Sequence, residues 1–174
     1  MATKLVISGL GADRPGIVDE LSNVIYDLDL NIEDSRMTVL GGEFAILLLV
    51  NGELSALDEL QAQMPEIEQD LQMDLLAKPT TAANAAGNTL PYAVEVAALD
   101  HPGIVSNIAS FFSERNINIV NLQTESYSAP HTGSPMFALH MTVGIPAEMN
   151  IAQLRDAFMD TCDALNLDAE LKNV

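Results

Sequence analysis

The stretch "DRPGIVDEL" at residues 13–21 decides the fold, because the chain contains nearly the same letters again as "DHPGIVSNI" at residues 100–108. The two stretches lie 87 residues apart in a chain of 174 residues, at the same place in each half. Seven residues of the first copy recur in the second; they are Asp13, Pro15, Gly16, Ile17, Val18, Asn31 and Ile32. A repeat with one fixed period indicates a structural unit that occurs twice.

The repeated stretch predicts an amphipathic helix in each half. Its apolar residues recur at the three- and four-residue spacing of one helix face. They are Ile17, Val18, Leu21, Val24 and Ile25 in the first half, and Ile104, Val105, Ile108, Phe111 and Phe112 in the second. Pro15 and Pro102 suit the first turn of these helices, where a missing N–H has no partner to lose.

Strand patterns surround each predicted helix in the same order. Alternating apolar residues precede it in "TKLVIS" and "PYAVEVA" and follow it in "SRMTVL" and "LQTESY". A glycine-containing turn leads to "FAILLLV" and "MFALHMTV", and after a second helix each half ends in "MDLLAK" or "LDAELK". This order predicts an α+β fold of two tandem ferredoxin-like βαββαβ units, each an antiparallel sheet with helices on one face.

The second helix of each unit has its own start signal. Ser55 and Asp58 are predicted to cap it in the first unit, and Asn150 and Gln153 in the second. Pro65 is expected to stop or kink the first-unit helix.

A segment of small polar residues without a pattern, "PTTAANAAGNT", separates the two halves. We therefore predict a first domain at residues 1–79, a linker at 80–89 and a second domain at 90–174.

Acidic residues dominate the charge, with 25 Asp and Glu against 7 Lys and Arg and a formal net charge of −18. Both halves repel phosphate, and no Lys/Arg cluster is available to release counterions from DNA or RNA. Direct binding to nucleic acid is therefore not expected. High net charge favours a soluble surface, and a docking face for a basic partner is the alternative.

The sequence predicts a cytoplasmic protein without a membrane segment. No apolar run approaches the roughly 20 residues of a membrane span, and the N-terminal segment lacks the long apolar core of a secretory signal. Cys162 is the single cysteine, so it cannot form an internal disulfide. It follows Phe158 by four residues on an apolar helix face and is predicted to be a core residue.

Candidate ligand-binding residues lie at the predicted junction of a strand and a helix. The first N–H groups of a helix lack internal partners and favour an anion such as a carboxylate. Gly16 and Gly103 leave the backbone uncovered at that place, and Asp13 and Asp100 can accept a hydrogen bond from an ammonium group. A carboxylate cradle beside an ammonium acceptor describes a site for a free amino acid.

Asn31 and Asn118 follow the two helices, and their amides can both donate and accept hydrogen bonds. A structural interpretation of the same residues stays open. In it the aspartate caps the helix, the proline starts it, the glycine permits close packing and the asparagine forms a left-handed turn.

The segment "GLGADR" is similar to part of a dinucleotide-binding fingerprint, with Gly9 and Gly11 after a strand and Glu33 or Asp34 about 20 residues later. Arg14 stands at the third glycine position, and the second half has neither glycine. A dinucleotide site is therefore disfavoured.

Catalytic motifs are not evident elsewhere. His101, His131 and His140 do not have the spacing of a zinc site, and no acid–base pair stands out among the many surface acids. The sequence thus predicts no catalytic residue, no metal and no cofactor, and we do not expect an enzyme.

The predicted element order, with "DRPGIV" at the first junction and "NI" before the second strand, resembles the ACT domain, a small regulatory module that binds amino acids. More specifically, "GADRPGIV" at 11–18 followed by "NIEDSRMTVLGGEF" at 31–44 is similar to the family of glycine cleavage system transcriptional repressors. The resemblance covers essentially the whole chain and is sharpest over residues 5–50.

The resemblance implies a regulator that does not bind DNA itself. It restrains a separate DNA-binding transcription activator, and a small amino acid, with glycine favoured, relieves the restraint. The alternative that the ACT resemblance implies is a regulatory subunit that confers amino-acid feedback on a metabolic enzyme. Exposed edge strands of ferredoxin-like sheets also allow a homodimer.

The resemblance also implies a ligand site at the loop between the first strand and the first helix, where ACT domains bind ligands between paired modules. Carried over to matching positions, the ligand-binding candidates are Asp13, Gly16, Ile17 and Asn31, with Asp100, Gly103, Ile104 and Asn118 in the second copy. Because Arg14 becomes His101 and "SGLGA" becomes the bulkier "EVAAL", the first site is the favoured one.

Overall fold

The computed structural model of the chain describes residues 3–81 and 87–174 and divides into two compact units, Met1–Asn84 and Ala85–Val174. The predicted linker, 80–89, includes the last residues of one strand and the first residue of the next, while 82–86 lie outside the described residues. Within the described ranges, no helix combines the length and the apolar composition needed to cross a membrane.

The first unit has the predicted order of strands and helices. Its elements are β1 (Thr3–Ala12), α1 (Ile17–Asp27), β2 (Asn31–Leu40), β3 (Glu43–Asn51), α2 (Leu54–Leu71) and β4 (Met73–Thr81). The strands form an antiparallel sheet in the order β2-β3-β1-β4.

The second unit repeats this architecture. Its elements are β5 (Thr89–Leu99), α3 (Ile104–Ser113), β6 (Asn118–Ser128), β7 (Pro135–Pro146), α4 (Ile151–Ala164) and β8 (Asp168–Asn173). The antiparallel order is β6-β7-β5-β8, which matches the first sheet strand for strand. The predicted α+β fold of two tandem ferredoxin-like units is therefore confirmed.

Each pair of helices covers one face of its sheet, and the predicted apolar helix faces form the two cores. In the first unit the core is mainly aliphatic. In the second, Phe111 and Phe112 of α3 meet Phe158 of α4, with ring centroids 5.2 to 5.3 Å apart. Burial of each such side chain stabilises the fold by about 1.5–3 kcal/mol. Cys162 is fully buried in this core, as predicted.

The prolines of the repeated stretch lie before the helices. The sequence had predicted them in the first helical turn, and that prediction is wrong. Gly16 is the N-cap residue of α1 and Gly103 that of α3, so Pro15 and Pro102 precede the helices. The reason is the left-handed backbone of the two glycines, with φ of 89° and 98°. Residues with a Cβ rarely adopt this conformation, and it sets the direction in which each helix leaves its strand.

Predictions for the second helices are confirmed in one unit and wrong in the other. The Oδ1 of Asn150 accepts a hydrogen bond of 3.2 Å from the backbone N–H of Gln153, which caps α4. Ser55 and Asp58 do not cap α2, because this helix already begins before Ser55. Pro65 lies inside α2 and does not end it.

Packing between the first and last strands differs in the two units. Gly9 of β1 lies opposite Leu75 of β4, whereas Val96 of β5 lies opposite Ala169 of β8. A Cβ at Gly9 would lie 2.8 Å from Leu75 Cδ2 and 2.9 Å from both Ile46 Cγ2 and Met73 Cε, so a side chain there would require these neighbours to shift. In each pair one small and one larger residue together fill the space between the two strands, as close packing requires. This packing accounts for a glycine that the sequence shares with a dinucleotide fingerprint.

Candidate functional site

The two repeated loops connect the first strand of each unit to its first helix, and both are anchored at the same end of the strands in their sheets. The N–H of Asp13 donates to the carbonyl of Gly42, between β2 and β3, at 3.2 Å. The N–H of Asp100 donates to the carbonyl of Pro135, at the start of β7, at 2.9 Å. Both aspartates are exposed, so each carboxylate lies at the surface beside a helix start.

The helix starts offer backbone hydrogen-bond donors. The carbonyl of Gly16 accepts the first bond of α1 from the N–H of Glu20, and the carbonyl of Gly103 accepts that of α3 from Asn107, each at 2.9 Å. The N–H groups of the first turn have no intrahelical acceptor and carry partial positive charge. Each loop therefore combines donors for an anion with a carboxylate that can bind a cation.

The side chains at the two helix starts differ in charge. Arg14 donates two hydrogen bonds of 2.7 Å to Glu20, which holds the pKa of that carboxyl below its ordinary value. Glu20 Oε1 lies 3.4 Å from the position that a Cβ at Gly16 would take. In the second loop Asn107 replaces the glutamate, and its Nδ2 lies 3.7 Å from the corresponding position at Gly103. The first helix start thus has a carboxylate of its own, and the second has a neutral amide.

The two aspartates also differ in their partners. Ser126 of β6 donates its hydroxyl to Asp100 Oδ2 at 2.9 Å. Val39 of β2 stands at the corresponding place in the first unit and has no hydroxyl. In the part of the chain that the structure describes, the Asp13 carboxylate accepts no hydrogen bond. The Asp100 carboxylate is therefore oriented by a neighbour, whereas that of Asp13 is not.

Asn31 and Asn118 lie away from the loops, as the first residues of β2 and β6. Asn31 pairs with Asn51 at the end of β3, whereas Asp13 is bonded to the turn that precedes β3. β3 has nine residues, and at about 3.3 Å per residue the two ends are about 26 Å apart. One small amino acid cannot contact both Asp13 and Asn31 of the same unit.

The structural interpretation of the repeated residues is wrong for the aspartates and asparagines. It is also wrong for the glycines, which serve a left-handed backbone and not close packing, because the nearest atom to a Cβ would lie 3.4 Å away at Gly16 and 3.7 Å away at Gly103. No side chain caps α1 or α3 within residues 3–81 and 87–174. The left-handed residues after these helices are Asp29 and Asn116, with φ of 54° and 55°. Ile17 and Ile104 are 3% and 2% exposed, so their side chains belong to the cores and only their backbone can face a ligand.

Sequence reasoning missed Glu20, Asn107 and Ser126. The first two follow their glycine by four residues, so helical periodicity places them above the helix start and this signal was available. Ser126 reaches Asp100 from 26 residues away, and this contact depends on strand register that no local pattern sets.

Backbone donors, carboxylates and a few polar side chains make up the site. Across the described ranges, no three His, Cys, Asp or Glu side chains are grouped so that they could hold a metal ion. Burial raises the pKa of Cys162 to about 11, so this thiol stays protonated near neutral pH.

Comparisons of the sequence link both units to known proteins. The family model of the ACT domain matches residues 3–78. The glycine cleavage system transcriptional repressor of Escherichia coli is 29% identical over 170 residues, which cover 98% of this chain and 90% of the repressor. A UPF0237 protein of Methanopyrus kandleri is 36% identical over 80 residues, 44% of this chain and 87% of that protein.

Comparisons of the fold extend over both units. The crystal structure of an unknown protein from Galdieria sulphuraria superposes with a TM-score of 0.84 and 27% identity, covering 100% of this chain and 99% of that one. A protein provisionally assigned as a glycine cleavage system transcriptional repressor superposes with a TM-score of 0.75 and 26% identity over 99% of both chains. The first unit therefore belongs to the ACT-domain family, the second unit repeats its fold, and the chain is similar over nearly its whole length to glycine cleavage system transcriptional repressors.

Proposed function

We propose that the chain is a non-enzymatic regulatory protein that senses a small amino acid, with glycine as the favoured ligand. In this proposal it controls glycine-cleavage genes through contact with a DNA-binding activator. The match of the first unit to the ACT-domain family and the end-to-end similarity to the Escherichia coli repressor support the regulatory role and the choice of glycine.

The observation that carries the proposal is the duplicated loop. In each unit a left-handed glycine opens a helix beside an exposed aspartate. The ligand carboxylate accepts hydrogen bonds from the first-turn N–H groups, and the aspartate accepts one from the ligand ammonium group. An amino acid has both charges on one carbon, so a single loop can serve both.

The second loop is the stronger candidate within this proposal, in contrast to the preference drawn from the sequence. In the first loop Glu20 lies over the helix start and repels an incoming carboxylate, unless Arg14 releases it and pairs with the ligand instead. In the second loop Asn107 is neutral, and Ser126 orients the carboxylate of Asp100. Pre-oriented groups lose less entropy on binding.

Asn31 and Asn118 stay candidates for a separate role. Both are exposed at the strand ends that lie opposite the loops. Their amides can bind a ligand that approaches these strand ends, and substitution of either asparagine tests whether binding depends on its amide.

The charge of the chain supports action through a protein partner. A net charge of −18 repels the DNA backbone. A DNA-binding activator carries basic surface for its own phosphate contacts, and such a surface is complementary to an acidic regulator.

Calorimetric titration of the purified chain with glycine, serine and alanine tests the proposal. We expect saturable binding of glycine, weakened at least tenfold by Asp100→Asn, because removal of the charge leaves the ammonium group without its partner. Asp156→Asn, an exposed aspartate on α4 away from the loop, is the matched control and should leave affinity unchanged. Glu20→Gln should strengthen any binding at the first loop.

Three results would contradict the proposal in different parts. The absence of heat with every amino acid at millimolar concentration would reject sensing. Loss of binding in Asn118→Ala but not in Asp100→Asn would place the ligand at the strand ends opposite the loop. Binding of glycine without any change in the expression of glycine-cleavage genes, on deletion of the chain from its host, would reject the regulatory target.

A further inference from the structure

The sheet of the first unit has an open face, on the side that α1 and α2 leave uncovered, and the centre of this face is apolar. Leu47 is 46% exposed, Leu10 49% and Leu76 68%. Val6 and Leu49 face each other one ladder row away from Leu47. Exposed apolar residues grouped on one surface mark an interaction site. We call this surface the first open face.

Charges of both signs surround the apolar centre. The bases are three of the seven in the chain; they are Lys4, Arg36 and Lys78. The acids are Glu33, Asp34, Glu43 and Asp74. Three bases against four acids leave the face close to neutral on a chain whose net charge is −18. Contact between two such faces is therefore not opposed by the net charge that keeps copies of the chain apart.

The first open face is complementary to itself in size. With a two-fold axis parallel to the strands, between β1 and β3, each ladder row meets the same row of a second copy in reverse order. Leu47 then lies over Ser8 of the second copy, and Leu10 over Ala45 of the second copy. Packed sheets lie about 10 Å apart, so a large side chain requires a small one opposite, as in both of these pairs.

The same arrangement also pairs groups of opposite charge at the rim. Asp34 lies over Lys78 of the second copy, because these two residues are the two ends of one ladder row. Lys78 has no ion-pair partner among residues 3–81 and 87–174. Arg36 already contacts Asp34, whose carboxylate has room for a second donor. In another row, the hydroxyl of Thr38 meets the carboxylate of Asp74 and can donate to it.

The corresponding face of the second unit does not match itself in this way. Glu125 and Asp168 are the two ends of one of its rows, so the reversed row places acid over acid. Between them lie Ala138 and Ala97, and alanine over alanine leaves a gap between the sheets. Self-complementarity is thus a property of the first open face and not of the fold in general.

We infer that the chain forms a two-fold dimer in which the first open face packs on the first open face of a second copy. Each chain has one such face, so the matching face belongs to another chain. Four strands about 4.8 Å apart and about 30 Å long cover roughly 570 Å² on each copy. The two copies together bury about 1,100 Å², which is enough for a specific interface.

Analytical ultracentrifugation of the full chain tests the inference at up to about 100 µM, above the micromolar dissociation constants of the weaker interfaces of standard size. The wild-type chain should sediment at about twice the 18.7 kDa of one chain. Leu47→Glu should give the mass of one chain, because its carboxylate would lose water without gaining a partner. Ala138→Arg in the second unit and Leu54→Glu at an exposed leucine of α2 are the matched controls, and both should stay dimeric.

Exchange of the rim charges provides the decisive measurement. In a dimer of Asp34→Lys chains two cations meet at each end of the contact, and in a dimer of Lys78→Glu chains two anions meet there. Each variant alone should raise the dissociation constant about tenfold or more, because like charges in contact oppose association. In an equimolar mixture both rim contacts of the heterodimer join opposite charges, so the dissociation constant should return close to the wild-type value.

A monomeric wild-type chain overturns the inference, and so does a dimer that survives Leu47→Glu. Dissociation by Ala138→Arg would mean that the second unit provides part of the contact, which also overturns it. Charge-exchanged chains that do not recover the dimer on mixing have the same consequence. If the circular dichroism of Leu47→Glu shows loss of structure, Leu10→Glu takes its place, since Leu10 belongs to the same face.

Discussion

Gly9 faces Leu75 in the first unit, and at the same ladder position of the second unit Val96 faces Ala169. The exposed loops differ in another way, since Arg14 and its partner Glu20 give way to residues that do not pair with each other. In the core, therefore, a larger side chain on one strand requires a smaller one on the neighbouring strand, because two large side chains do not fit between the strands. At the surface the Arg14–Glu20 ion pair is lost, and no other ion pair replaces it at the second loop among the described residues. The backbone of the two units is the same in both cases.

The largest expected effect comes from the difference between the aromatic and aliphatic cores. Phe158→Ala removes a ring that contacts two others and should destabilise the second unit by about 3–5 kcal/mol. Leu60→Ala in α2, where the side chain is also fully buried, should cost less, about 2–4 kcal/mol. Urea unfolding followed by circular dichroism measures both, and equal losses would contradict a special contribution of the ring cluster.

The next effect tests whether the packing pairs are coupled. Gly9→Val gives the first unit the residue of the second and should destabilise it by about 1–3 kcal/mol, because the new side chain overlaps Leu75. Adding Leu75→Ala should recover part of the loss, as expected for residues in contact. Ser8→Val, at the next position on the opposite face, is the control. Additive free energies of unfolding in the double variant would disprove the coupling.

A smaller effect is expected at the left-handed glycines, and it should be equal in the two units. Gly16→Ala and Gly103→Ala each place a Cβ on a backbone with positive φ, which costs about 1–2 kcal/mol. The nearest neighbours are 3.4 and 3.7 Å away, so the penalty is conformational and not steric. A much larger loss in the first unit alone, in thermal unfolding of both variants, would show that Glu20 cannot move aside.

The smallest effect is a pH dependence confined to the first loop. Arg14 lowers the pKa of Glu20 in the folded chain below the ordinary 4.5, so the pair stabilises the fold above that pH. The contribution is lost as the pH falls below 4.5 and through the folded pKa. The melting temperature of Glu20→Gln should approach that of the wild type in this range. Glu66→Gln, an exposed glutamate of α2, should not reproduce the change, and parallel pH curves would refute the pair.

Most of the fold could be predicted from the sequence because its signals are local or repeated. The apolar spacing of α1 and α3 and the alternation in β3 and β7 are strong patterns, and the repeat supplied each weak element with a second example. The helix starts were harder. Ser55 and Asp58 fit a capping pattern, yet α2 begins one residue earlier, at Leu54, and the carbonyl of Glu53 accepts hydrogen bonds from the N–H groups of Ala56 and Leu57.

The candidate site could be predicted only in part. Asp13 and Gly16 stand together in sequence and in space, because four residues of one loop cannot separate. Asn31 does not lie near them, since β2 begins at the opposite end of the strands, about 26 Å away by strand length. The contact of Ser126 with Asp100 depends on the register of β6 and on no local signal.

The complementary packing of Gly9 with Leu75 and of Val96 with Ala169 also bears on how a duplicated chain reaches its correct fold. Two copies of one unit can exchange their last strands during folding, a characteristic error of repeat proteins. If β8 paired with β1, Gly9 would face Ala169 and leave a cavity. If β4 paired with β5, Val96 would face Leu75, and one of these two side chains would have to shift. The divergence of these four residues therefore gives each half of the chain a means of recognising its own last strand.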